Sequence, residues 1–96
     1  MDHRLLFTQR ALSDLAAIVA HVAEDDADAA SRFGEGLLDH VDLLCRFPRM
    51  GNRIRARSQV RKLVHSPILV YYQIHEPNGL IEILHIRHGS RKPPDL

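Results

Sequence analysis

The chain has 96 residues, 13 Lys+Arg against 12 Asp+Glu, one cysteine and no tryptophan, which fits one compact domain over residues 1–96 and leaves no room for a second core. The lone Cys45 excludes an intrachain disulfide, no apolar run follows a basic start as a secretory signal requires, and no stretch approaches the ~18 consecutive apolar residues of a membrane span, so a reducing cytoplasm is expected. The near-neutral total conceals a split: residues 1–45 carry three arginines against nine acids (net −6), and residues 46–96 carry ten basic residues against three acids (net +7). Two surfaces with different partners would produce this, and so would an acidic helical face drawn to a basic sheet. A domain this small is marginally stable, so a partner that binds only its folded state would stabilise it by mass action.

His3-Arg4-Leu5-Leu6-Phe7 reads as a short first strand, and Thr8 as the N-cap of a helix. From Ala11 onward, Leu12, Leu15, Ile18, Val19 and Val22 recur at three- and four-residue steps, which predicts an amphipathic helix with one buried stripe. Asp25-Asp26-Ala27-Asp28 breaks that pattern with acids suited to a second N-cap and first turn. The stripe Ala30, Phe33, Leu37, Leu38, Val41, Leu44 and Cys45 predicts a second helix that stops before Pro48, and so short a link makes the two helices an antiparallel hairpin.

Phe47-Pro48-Arg49-Met50-Gly51 leads into a polar connection carrying Arg53, Arg55 and Arg57. Three strands follow, at Val60–Val64, Ile68–His75 and Leu80–His88, the last two joined by the turn Glu76-Pro77-Asn78-Gly79 as an antiparallel hairpin. The tail Gly89-Ser90-Arg91-Lys92-Pro93-Pro94 adds no regular element. The expected fold is α+β in the order β-α-α-β-β-β, the helical hairpin covering one face of a small antiparallel sheet. No glycine-rich phosphate loop, metal-ligand spacing or nucleophile elbow is present, so no cofactor, metal or small-molecule substrate is expected.

Several segments together resemble the RelE/ParE toxin superfamily: Thr8–Leu15 opening the first helix, Phe47–Gly51 after the second, Val60-Arg61-Lys62-Leu63, Ile68–Tyr72, and Ile83–Arg91 at the end. Their order and spacing over nearly the whole chain carry the resemblance. It implies a growth-inhibiting, plasmid-stabilising toxin of a type II toxin–antitoxin pair, neutralised by a cognate antitoxin that wraps the sheet and helical hairpin. Within the superfamily RelE-like members cut messenger RNA in the ribosome, and ParE-like members inhibit DNA gyrase.

RNA cleavage by an internal 2′-hydroxyl needs a general base, a proton donor and cations for the developing phosphorane. The candidates are His88 and Arg91, with Arg61 or Lys62. His85 and Arg87 share one face of the last strand and His88 takes the other. The resemblance also implies that a ribonuclease of this superfamily carries an arginine within the strand that here reads Ile68-Leu69-Val70-Tyr71-Tyr72, and a tyrosine near the C-terminus; neither is present. Phe-Pro-x-Met-Gly and His-Gly-x-Arg, both features of ParE-like members, are present as Phe47–Gly51 and His88–Arg91. The gyrase-directed branch is therefore favoured, with Arg61, Arg87, His88, Arg91 and Lys92 as target-binding residues. The alternatives are the ribosome-dependent endoribonuclease and a non-toxic protein-binding module.

Other residues carry structural expectations. Phe47, Pro48, Met50 and Gly51 form either part of a recognition surface or, the favoured reading, a structural element in which Pro48 stops the helix, Gly51 permits a turn, and Phe47 and Met50 cover the core edge. Arg53, Arg55 and Arg57 form either a comb for phosphate or acidic protein, or a solvated loop. Arg61 and Lys62 point to opposite faces, as do Tyr71 and Tyr72, one tyrosine ring inward and one outward. His85 is expected on the sheet surface or in the core, and His21 and His40 on solvated helix faces.

Overall fold

A computed structural model describes residues 3–90. The chain runs through β1 (Arg4–Phe7), α1 (Gln9–Asp25), α2 (Ala27–Asp42), a turn of 3-10 helix (Leu43–Cys45), β2 (Asn52–Arg53), β3 (Val60–His65), β4 (Ile68–His75) and β5 (Leu80–His88). This is the expected α+β order with one addition, the two-residue β2. A stretch that short and polar carries no alternating pattern, so it was legible only as part of the arginine-rich connection.

Thr8 caps α1 by accepting the Ala11 N–H at 3.1 Å. Asp26 alone joins the helices: its N–H donates to the Val22 carbonyl, closing α1, and its carboxylate accepts from Asp28 and Ala29, opening α2. One residue outside the helical region reverses the chain, and the hairpin follows from it. Gly79, with φ +67°, supplies the left-handed residue of the β4–β5 turn.

The sheet order is β1-β5-β4-β3-β2. β2/β3, β3/β4 and β4/β5 pair antiparallel, whereas β1 runs parallel to β5, Arg4 opposite Leu80 and Phe7 opposite Ile83. The connection from β1 to its parallel neighbour β5 runs through the helical hairpin and then β2, β3 and β4, far longer than the dozen or so residues a parallel pairing requires. Ala11, Leu37, Val41 and Leu44 pack on Leu63, Ile68, Val70, Tyr72, Ile81, Ile83 and Ile86 to form the core. Between Tyr71 and Tyr72 the β4/β5 register shifts, Tyr71 facing His85 and Tyr72 facing Ile83, so Leu84 is an extra residue in β5.

The burial differs from the expected stripes at their margins. Leu12 and Leu38 are 48% and 43% exposed, because at 100° per residue each stands ~80–100° from the centre of its buried stripe. Phe47 (57%) and Met50 (38%) are exposed and do not cover the core edge. Tyr71 and Tyr72 do face opposite sides of the sheet, yet both are buried, Tyr71 beneath the His85 ring and the Arg87 guanidinium. His21 is solvated as expected, but His40 is half-buried, its Nδ1 2.9 Å from Nδ1 of His65 on β3.

The His40–His65 contact joins α2 to β3, with Phe33 edge-on to the His65 ring. One Nδ1 must donate and the other accept, so the contact needs at least one neutral ring. Burial first, and then the neighbouring His40, hold His65 below its ordinary pKa. The folded state thus favours neutral His65: this stability is fully present above the ordinary histidine value near ~6.5 and is lost as pH falls through the lower folded value. We expect wild type to lose more stability between about pH 7 and pH 5 than a His65→Gln variant, in urea melts across that window. Parallel curves for the two proteins would remove the pair as a source of pH dependence.

Candidate functional site

β1 ends at Phe7, so among the described residues β5 beyond Ile83 has no strand on its outer edge. The start of α1 takes over. The Thr8 N–H and hydroxyl donate to the Ile83 carbonyl, and the hydroxyl also reaches the Leu84 carbonyl. Two turns on, one oxygen of Asp14 accepts the Ile86 N–H at 3.0 Å and the His85 Nδ1–H at 2.6 Å. On the helical wheel Asp14 lies ~60° from Ala11, on the flank of the apolar stripe opposite Leu12. A carboxylate there can reach around the sheet edge to a side chain on the far face. The extra residue Leu84 helps by bending β5 at that point.

Beyond the bulge, Arg87 lies over the Tyr71 ring, 5.6 Å from its centroid, and donates Nε–H to the Tyr71 hydroxyl at 3.0 Å and a terminal N–H to the His88 carbonyl. His88 is exposed, and its Nδ1 accepts from the Ser90 N–H at 3.1 Å and lies 2.7 Å from the Ser90 hydroxyl. With Nδ1 accepting, the ring proton is on Nε2, which faces away from the Ser90 contacts. Arg10, His21, Arg87 and His88 rim a groove of about 740 Å³ between α1 and the end of β5, and Ile18, Val22, Phe33, Ile68 and Ile86 line its apolar part. Asp14 also lines the groove, but its bonded oxygen is taken up by His85 and Ile86, so the arrangement sets two arginines and two histidines against one engaged carboxylate around an apolar trough, the complement of an acidic amphipathic segment.

The other predicted site residues lie elsewhere. Arg61 faces the helix side opposite Tyr72, where it donates to the Gly51 carbonyl at 2.8 Å and, at 3.5 Å, to that of Arg49. Tyr72 completes this clamp, its hydroxyl donating to the Pro48 carbonyl at 2.7 Å and accepting the Gly51 N–H at 2.9 Å. Burial pushes the Tyr72 hydroxyl above the usual phenol range, despite the Gly51 hydrogen bond and the nearby Arg61, so it stays a proton donor at neutral pH. Lys62 is on the opposite face, across from Tyr71. His88 pairs with Ile68 and Arg61 with Tyr72, four residues along β4 and two strands apart, which separates their Cα atoms by about 16 Å. Arg87 and His88 are therefore brought together at the groove, whereas Arg61 and Lys62 are not; Arg91 and Lys92 lie outside the described residues.

Sequence reasoning missed Asp14 and Arg10 as groove residues and Gly51–Tyr72–Arg61 as a clamp. Asp14 had a readable signal, a lone carboxylate three residues after one stripe position and four before another. The clamp had none, because it joins backbone atoms to side chains 10 to 24 residues away.

The sequence matches the family described as the ParE toxin of type II toxin–antitoxin system, parDE, over residues 5–93. It is 34% identical to the putative toxin Y4kP of Sinorhizobium fredii over 95 residues, covering 97% of this chain and 95% of that one. Toxin RelE2 of Caulobacter vibrioides is 33% identical over 90 residues, covering 92% and 97%. Among solved structures the fold matches the chromosomal ParDE toxin–antitoxin system from P. aeruginosa with a TM-score of 0.74 at 23% identity, over 92% of this chain and 96% of that one. The RelBE2 toxin–antitoxin complex from Mycobacterium tuberculosis matches with a TM-score of 0.62 at 22% identity, over 92% and 99%. On the family match and these relatives together, the chain belongs to the ParE toxin family, the toxin side of type II toxin–antitoxin systems.

Proposed function

We propose that the chain, acting as one toxin domain in the cytoplasm, arrests growth by binding and inhibiting DNA gyrase and is neutralised by a cognate antitoxin. The observation that carries this reading is the commitment of the groups a ribonuclease would need. Arg61 is bonded to the Gly51 carbonyl, His85 is buried against Asp14, and His88 stands about 16 Å from Arg61. Acid–base cleavage needs base, acid and cation within hydrogen-bond reach of one phosphate. The uncharged run Ile68–Tyr72 of β4 supplies no cation to substitute. In this reading Arg87 and His88, followed in sequence by Arg91 and Lys92, meet the target, and the groove beside α1 receives an acidic amphipathic stretch of the antitoxin.

The exposed His88 beside Arg87 and Arg10 favours one competing reading, a ribosome-dependent endoribonuclease with His88 as acid or base. Labelled precursors separate the two. After induction in a bacterial host, thymidine incorporation should fall before methionine incorporation, and co-expression of the neighbouring antitoxin should restore both. Methionine incorporation falling first, with messenger RNA fragmented, would replace gyrase by the ribosome; no arrest at all would point to a non-toxic binding module.

A further inference from the structure

We propose that the turn Phe47–Gly51 is a contact surface for the protein target, its two apolar side chains entering an acid-rimmed apolar pocket on gyrase; this rests on the gyrase reading above. Single exposed apolar side chains are ordinary on a protein surface. Here Phe47 (57% exposed) and Met50 (38%) stand three residues apart on a turn that the fold holds from beneath.

The Tyr72 hydroxyl bridges the Pro48 carbonyl and the Gly51 N–H, Arg61 grips the Gly51 carbonyl, and the Met50 N–H donates to the Phe47 carbonyl at 3.1 Å. Gly51 is itself buried under the Tyr72 ring. Outside, Arg49 is tied to Glu76 at 3.0 Å. Polar groups are thus spent on fixing the backbone while Phe47 and Met50 face outward. A backbone already fixed leaves only side-chain ordering to be lost on binding, and an aromatic ring, with two side-chain torsions, loses little.

The surroundings select the occupant. Exposed Arg46, Arg49 and Arg53 flank the turn, with Glu76 as the acid paired to Arg49. Apolar anchors inside a cationic rim complement an apolar pocket with an acidic rim, the usual build of a protein interface. A nucleic acid would use the arginines and stack on Phe47, but Met50 offers no ring to a base. The turn is held from Tyr72 and Glu76, whereas the groove lies at Ile68. These positions are ~14–27 Å apart along the line of β4, so a segment confined to the groove does not reach the turn.

The test is the protein concentration that half-inhibits supercoiling by purified gyrase holoenzyme, for wild type, Phe47→Ser with Met50→Ser, and Phe47→Leu with Met50→Leu. Urea melts confirm that each protein folds. The serine pair should need at least about tenfold more protein, and the leucine pair should stay within about threefold of wild type. If wild type inhibits and the serine pair inhibits equally, the turn is not the contact and the gyrase reading survives. Wild type failing to inhibit removes the gyrase reading, and this inference with it. Weakened binding of the serine pair to plasmid DNA alone would assign the turn to nucleic acid and overturn the proposal.

Discussion

Gly51→Ala should lower the unfolding free energy by about 3 kcal/mol. Gly51 has negative φ, so backbone freedom is not the reason for glycine here. The reason is space. A Cβ on Gly51 would stand 2.7 Å from the Lys62 carbonyl oxygen and 2.8 Å from both the Tyr72 ring and its hydroxyl. The carbonyl is fixed in the β2–β3 ladder, and Tyr72 is fully buried among core side chains, so neither neighbour can give way cheaply. The turn must move instead, which breaks the hydrogen bonds that Tyr72 and Arg61 make to it. A urea midpoint lower by about 1–3 M is expected. A midpoint within error of wild type would show that the turn relaxes freely and that the clamp is not rigid.

Asp14→Ala should cost about 2 kcal/mol, measured the same way. The carboxylate serves two donors at once, the His85 ring and the Ile86 N–H, and among the described residues no buried side-chain polar atom lacks a partner. Alanine orphans both donors on the outer edge of β5, which the pairing with β1 no longer covers. Because the Asp14 and His85 side chains retain 23% and 11% exposure, water can recover part of the loss, so the value lies below that of a fully buried pair. Asp14→Asn keeps an acceptor oxygen but no charge and should fall between wild type and alanine. An alanine variant as stable as wild type would show that α1 does not depend on this carboxylate to dock on the edge of β5.

These two sites mark where local pattern stops informing the fold. Thr8, the acids around Asp26 and the β-rich runs Ile68–His75 and Leu80–His88 were legible because caps, stripes and strand composition are set by residues within a few positions of one another. The parallel pairing of β1 with β5 was not, since it depends on where the hairpin returns the chain. Leu12 and Leu38 were assigned to buried stripes because periodicity gives the direction of a stripe but not its width. The His40–His65 and Asp14–His85 contacts join residues 25 and 71 positions apart, and no spacing rule reaches that far. At the candidate site the sequence supplied Arg87 and His88, while the role of Arg61 as a backbone clamp emerged only from the fold.

The most direct measurement of the central claim titrates one preparation of the wild-type protein into two purified systems, gyrase with relaxed plasmid and ribosomes translating a defined message. The account predicts that supercoiling stops while the message stays whole at the same protein concentrations. Cleavage of the message with gyrase unaffected would mean that the scattered acid, base and cations act together after all, and would contradict it.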